Sequence, residues 1–340
     1  MNKLFRRFKK SSLLEKRSKG KDRLLTAIRI IISVSLFTYL IVRSIPSLRT
    51  MPELLTGNNI LYAILAFLAF SLGIFIQVLR WNALLLAKKI RIGKPFLFMS
   101  YYIGFFYSNI LPSSIGGDFY RTYDIYKNRK IPLQKGVAVA IMERFVGMTV
   151  GMIFLLVSFS RIYFYLDLVS ILSLSLLPLL GILIIFVFLK PKAFKIDRLF
   201  KKYRKLKKAE EKFYEIHNDL YLFKHNLKSI FISAGYGIVS QLVFVTSYYF
   251  VSLYLKIKLS YIVFLFLNPI ILLSTILPIS IGGIGIRENL AVFLLQEFGV
   301  DQNTAVIFSL INLAIILINA SIGGITYIFK NIFYRSRGFM

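Results

Sequence analysis

Apolar residues in this chain come in long runs rather than in the alternating or three-four-spaced patterns of soluble elements. Six runs, 24–45, 59–87, 136–159, 168–189, 229–255 and 304–329, reach the ~20 residues that a bilayer-crossing helix needs. Two further apolar regions, 95–126 and 260–298, are each interrupted near the middle by Pro and Gly. The pattern predicts an all-α polytopic membrane protein with about six full spans. The course of the two interrupted regions is decided by charge.

Cytoplasmic loops of membrane proteins are rich in Lys and Arg. Lys88, Lys89, Arg91 and Lys94 precede the first interrupted region, and Lys127, Arg129, Lys130 and Lys135 follow it. Both flanks are therefore expected on one side, so 95–126 leaves the membrane where it entered. A single crossing would instead put the thirteen Lys/Arg of 190–228 outside. With a re-entrant hairpin, the external loops 46–58, 160–167 and 256–303 hold few basic residues, and a second hairpin at 260–298 returns Lys330, Arg335 and Arg337 to the cytoplasm. Both termini are then cytoplasmic, in the cell membrane.

The two breaks share a motif. Residues 110–121, Ile-Leu-Pro-Ser-Ser-Ile-Gly-Gly-Asp-Phe-Tyr-Arg, match 276–287, Ile-Leu-Pro-Ile-Ser-Ile-Gly-Gly-Ile-Gly-Ile-Arg, at eight of twelve positions. Chance repeats Ile and Leu in apolar sequence, but not Pro, Ser, Gly-Gly and Arg in register. The repeat extends outward to halves 59–159 and 229–329. One hairpin enters from each side, which makes an inverted repeat of the kind that places a substrate between broken helices near the midplane.

Each residue of the motif has a physical reason. Pro112 and Pro278 end the descending arm, because proline has no N–H and crowds the preceding turn. Gly116-Gly117 and Gly282-Gly283 allow backbone conformations and approaches that side chains forbid. The ascending arm is expected to start near Gly116 or Gly282, with bare amides and the positive dipole end favouring an anion. Ser114, Ser280, Arg121 and Arg287 add donors suited to a phosphate.

Ionisable groups inside spans are costly unless paired. Glu143-Arg144 lies within the run 136–159, and Arg144 is placed to reach Asp118 as Glu143 is to reach Arg121. Arg287-Glu288 repeats the Arg/acid arrangement, whereas Asp118 aligns with Ile284. Asp118, Glu143 and Glu288 are candidates for headgroup contact or proton coupling. At the end of the run 59–87, Trp81 reads as an interfacial anchor and Arg80 as either a snorkelling cation or a headgroup contact.

Composition narrows the chemistry. The chain of 340 residues is 57% hydrophobic with mean hydropathy +0.68, more apolar than a soluble domain. It has no cysteine and only His217 and His225, which disfavours a metal centre, and it carries no phosphate-binding loop for ATP, so no cofactor is expected. The net charge of +29 sits in blocks between apolar runs, which points to anionic inner-leaflet lipids rather than nucleic acid. The segment 190–228 mixes those charges with aromatic residues, as a helix lying on a membrane surface does. The basic segment 1–23 precedes an apolar run too long for a signal peptide and without a small-residue cleavage site, so 24–330 reads as one membrane domain followed by a tail, 331–340.

In these residues the chain resembles the lysylphosphatidylglycerol synthase transmembrane, or flippase-like, family, which includes the membrane flippase domain of the multiple peptide resistance factor. The resemblance is carried by Arg80-Trp81, Asn109 to Pro112, Gly116-Gly117-Asp118, Arg121, Glu143-Arg144 with Gly147, and Leu277-Pro278 through Gly282-Gly283, Gly285 and Arg287-Glu288. It covers roughly residues 20–330 and implies a protein that moves an anionic or aminoacylated phospholipid, or a lipid-linked glycan, between leaflets. Larger members carry a soluble domain that lysylates phosphatidylglycerol. This sequence stops at Met340, eleven residues past the last predicted span, so that chemistry is expected to be absent, with a separate synthase as a possible partner. The alternatives are the membrane part of a phosphatidylglycerol lysyltransferase, or a transporter of a small anion.

Overall fold

The computed structural model describes residues 59–111, 116–162, 207–275, 280 and 282–336, together with 34, 35, 38, 39 and 42. Pro112, Ser114 and Pro278, the predicted span 168–189 and the bulk of 24–45 lie outside the described residues. The described chain is helical, with no strand among the described residues. Its helices are α1 (Ile60–Ala87), α2 (Lys94–Ile110), α3 (Gly116–Arg129), α4 (Leu133–Ile162), α5 (Lys207–Tyr221), a 3-10 turn (Leu222–Asn226), α6 (Leu227–Tyr254), α7 (Tyr261–Ser274), α8 (Ile286–Glu297) and α9 (Gln302–Ser336).

Among the described residues, four stretches are long and apolar enough to cross a membrane: Ile60–Ala87, Leu133–Phe159, Phe213–Tyr254 and Gln302–Lys330. The protein is a membrane protein. The third stretch starts well before the predicted 229, because α5 runs on through the 3-10 turn into α6. α5 also packs on α1 and α4: Lys88 pairs with Asp219 at 3.0 Å, and Gln134 donates to Glu215 at 3.0 Å. By contrast α2, α3, α7 and α8 have 17, 14, 14 and 12 residues. At ~1.5 Å per residue none of them reaches across a ~30 Å hydrocarbon layer.

Order and packing repeat between halves. Long helix, short arm, break, short arm and long helix occur as α1–α4 and again as α6–α9. α1 and α6 form the most extensive contact and run antiparallel: Tyr62 stacks near Phe250, Ser247 donates to the Ala66 carbonyl, Gln77 to Ser240, and Asn226 to the Ala87 carbonyl. The short arm α2 packs on α9, and α7 on α4, a reciprocal exchange between halves. Within the first half, Arg129 at the end of α3 lies 4.6 Å over the ring of Phe96 at the start of α2, so the two arms return to one end. In the second, Phe266 of α7 meets Phe298, just after α8, at 6.4 Å.

Two apolar clusters support this frame, one among α1, α6, α7, α8 and α9, the other where α1, α2 and the 3-10 turn meet. Trp81 belongs to the second cluster and is only 2% exposed. It is therefore not the interfacial anchor that its place at the end of an apolar run suggested; Arg121 from α3 covers its ring and removes it from lipid. Lys330, counted in the sequence among free cytoplasmic charges, is also buried, because Asp124 of α3 pairs with it at 2.5 Å.

Candidate functional site

The two breaks meet. A Cβ on Gly282 would stand 2.7 Å from the carbonyl oxygen of Asn109, so the second turn rests directly on the C-terminal end of α2. Beside this contact lies an open cavity of about 340 Å³, within the size range of ligand sites. It is lined from both halves: by Asn109, Asp118 and Arg121 of the first break, by Gly282 and Arg287 of the second, and by Arg80, Glu143 and Arg144 of the long helices.

The first arm pair is built for closeness. Tyr101, Gly104, Phe105 and Ser108 share one face of α2 at helical spacing and all line the cavity. Gly104 and Gly117 let α2 and α3 touch backbone to backbone: a Cβ on Gly117 would be 2.2 Å from the Gly104 carbonyl oxygen. That contact brings Asp118 and Arg121 up against α4, where charge decides the rest. Asp118 accepts from Arg121 through Oδ1 and from Arg144 through Oδ2, the latter at 2.5 Å. Glu143 pairs with Arg121 at 3.1 Å. Both expected pairings, Arg144 with Asp118 and Glu143 with Arg121, are present. Arg121 also lies 4.3 Å over the Tyr101 ring and 5.0 Å over Trp81, a cation–π arrangement strengthened by burial.

The second break differs from the expectation. Its ascending helix starts at Ile286 rather than near Gly282, because Gly282, Gly283 and Gly285 take φ of +58°, +78° and +87°, which no right-handed helix can use. Nor is its end left bare for an anion. Glu288 turns back, accepts the Gly285 N–H at 2.6 Å through Oε2, and pairs with Arg287 at 2.7 Å through Oε1. This carboxylate is 2% exposed and sits behind the cavity rather than on its wall. Counted along the helices, Asp118 and Glu288 hold the same place, the third residue of an ascending arm, although the sequence alignment sets Asp118 against Ile284. Ser280 is buried, its Oγ without a hydrogen-bond partner among the described residues, and Gly285 caps α8; neither lines the cavity.

Arg80 is the exception among the arginines. It is 6% exposed, donates to Gln77 Oε1 at 2.8 Å and to the backbone carbonyl of Glu143, and meets no carboxylate among the described residues. Its Nε has no hydrogen-bond partner among the described residues, as is also true of Arg121 Nη1, Arg287 Nη2 and Glu143 Oε2. An uncompensated buried charge is destabilising by several kcal/mol.

Tyr101, Gln77, Gln241 and Asn268 complete the polar groups. Tyr101, Gln241 and Asn268 were missed from sequence alone. Gln241 donates to Asn268 at 2.8 Å beside Pro269, which lies inside α7 and lines the cavity. The signal for Tyr101 was available: Gly104 and Ser108 interrupt an aromatic run on the face that carries it.

Residues 26–324 match the family described as the lysylphosphatidylglycerol synthase TM region. The chain belongs to this family. Membership in the lysylphosphatidylglycerol synthase TM family points to a function related to membrane lipids. A comparison with curated proteins finds no match.

Proposed function

We propose that the protein is a lipid translocase whose cavity receives a phospholipid or glycolipid headgroup on its way between leaflets of the cell membrane. In this reading 24–330 forms one membrane domain of about six spans, 1–23 and 331–340 are cytoplasmic, and α2–α3 and α7–α8 are re-entrant hairpins of an inverted repeat. Antiparallel α1 and α6, together with arms too short to cross and returning to their own ends, support that arrangement. The observation that carries the function is that both breaks and four guanidinium groups border one cavity.

A phosphate in hydrocarbon loses its hydration, which makes an unassisted crossing slow. Fixed guanidinium groups replace that hydration, and Arg offers planar donors to phosphate oxygens. The acyl chains stay in the bilayer while the headgroup passes. With Arg121 and Arg287 held by Asp118, Glu143 and Glu288, the ion pairs can exchange partners with a passing phosphate instead of trapping it.

The test uses purified protein in phosphatidylcholine vesicles with acyl-labelled phosphatidylglycerol and an outer-leaflet quencher. Wild type exposes the inner-leaflet label within the assay, and Arg121→Ala with Arg287→Ala slows this about tenfold or more, the equivalent of losing one charge-assisted contact. Absence of movement with wild type, or equal movement with the double variant, ends the translocase reading.

A further inference from the structure

Four guanidinium groups line the cavity, those of Arg80, Arg121, Arg144 and Arg287. Three carboxylates meet them, those of Asp118, Glu143 and Glu288. Each carboxylate is paired with at least one guanidinium group. Asp118 gives one oxygen to Arg121 and the other to Arg144; Glu288 gives one to Arg287 and the other to the Gly285 N–H; Glu143 gives one to Arg121 and has the Tyr101 hydroxyl 3.5 Å from the other. Counting Glu288 behind the wall, this cluster of described residues therefore holds one positive charge in excess and no carboxylate without a guanidinium partner.

The excess is localised on Arg80, and the surroundings hold it in place. Gln77 donates to Ser240 at 3.1 Å, which turns its Oε1 toward Arg80. Gly147 makes room, since a Cβ there would lie 2.8 Å from Arg80 Nη2. A buried guanidinium without a counter-charge binds an anion that brings one. The rest of the wall includes Phe70, Ile74, Phe105, Met148, Phe244 and Ile316, which suits an amphiphile better than a hydrated inorganic ion.

Building on the translocase reading, we infer that the ligand class is a phosphodiester with one negative charge and an uncharged headgroup, such as phosphatidylglycerol, its phosphate on Arg80. An aminoacylated phospholipid is disfavoured, because its ammonium groups would face guanidinium groups with every carboxylate already taken. The family's label points toward lysylated lipid; the charge balance of this chain points to the unmodified one.

Binding is read separately from movement. The full chain in detergent is titrated with dioctanoyl phosphatidylglycerol, dioctanoyl lysylphosphatidylglycerol and inorganic phosphate. The signals are thermal stabilisation and the fluorescence of Trp81, the single Trp of the chain, which stacks beneath Arg121. Phosphatidylglycerol is expected to bind about tenfold or more tightly than its lysyl ester. Arg80→Gln removes that preference and Arg80→Lys keeps part of it. Gly147→Ala, which pushes the guanidinium aside without removing it, weakens phosphatidylglycerol binding. Equal or tighter binding of the lysyl ester overturns the inference, as does an Arg80→Gln or Gly147→Ala protein that binds like wild type. Inorganic phosphate binding as well as the lipid overturns its lipid part. Selective binding without movement in vesicles removes the translocase and leaves the site, whereas movement with inverted selectivity does the reverse.

Discussion

The two breaks share eight of twelve residues, yet the shared letters do different physical work. In the first, the glycines remove bulk: α3 starts at Gly116 itself, and Gly117 lets two helices touch. In the second, they remove handedness: Gly282, Gly283 and Gly285 supply positive φ in a turn that postpones the helix to Ile286. Charge follows the same division. Arg121 is held between two carboxylates and two aromatic rings, whereas Arg287 has Glu288 alone among the described residues. A repeated motif thus preserves a position for a cation on the cavity wall while leaving each half free to solve its own backbone problem.

The largest effect that sharpens this comparison concerns the acids. Glu288→Gln retains an acceptor for the Gly285 N–H but leaves Arg287 uncompensated, so a loss of about 3–5 kcal/mol is expected. Glu143→Gln leaves Arg121 with Asp118, and less than half that loss is expected. Thermal melting of both variants in detergent, followed through Trp81, gives the ranking. If Glu143→Gln is the more damaging, the two halves share charge across the cavity and cannot be treated as separate pairs.

A smaller effect separates bulk from handedness. Gly117→Ala drives a Cβ into the Gly104 carbonyl and Ser108 Oγ and is expected to lower stability by about 1–3 kcal/mol. Gly116→Ala meets only the side chain of Leu111 at 2.6 Å, which can rotate away, so little change is expected there. Gly282→Ala combines both penalties, a backbone contact at 2.7 Å and φ +58°, and should be at least as harmful as Gly117→Ala. Melting curves of the three proteins check the order. Equal losses at Gly116 and Gly117 would mean that the arms are not held by backbone contact.

Much of this was legible before any coordinates. Lengths of apolar runs gave the four described helices that are long and apolar enough to cross a membrane. The Arg144–Asp118 and Arg121–Glu143 pairings followed from the need of buried charges for partners. What escaped had physical reasons. The aligned letters hid the four-residue turn at Gly282–Gly285, because glycine does not announce the sign of its φ; hence Glu288 was not seen as the counterpart of Asp118. Trp81 at the end of an apolar run looks like an anchor until α3 is known to cover it. Lys330 reads as a tail charge until Asp124 is found one helix away. Residue types state which partners are needed, and tertiary packing states which are met.

The smallest effect lies at the linkers that lead from each ascending arm into its last long helix. The first passes through Lys130 at φ 52° and the second through Gly299 at φ +78°, so the same turn is made by a residue that resists it and by one that does not. A Cβ at Gly299 would meet nothing within 4 Å, and Gly299→Ala therefore isolates the backbone strain, about 1–2 kcal/mol. Lys130→Gly relieves the corresponding strain in the first half but loosens the unfolded chain by about 0.5–1 kcal/mol, leaving a net gain of a few tenths. Melting temperatures should accordingly fall for Gly299→Ala and stay level or rise slightly for Lys130→Gly. A clear fall for Lys130→Gly would instead assign its ammonium group a role at the C-terminal carbonyls of α3. The linkers would then differ by electrostatics, as the breaks do, and not by sterics alone.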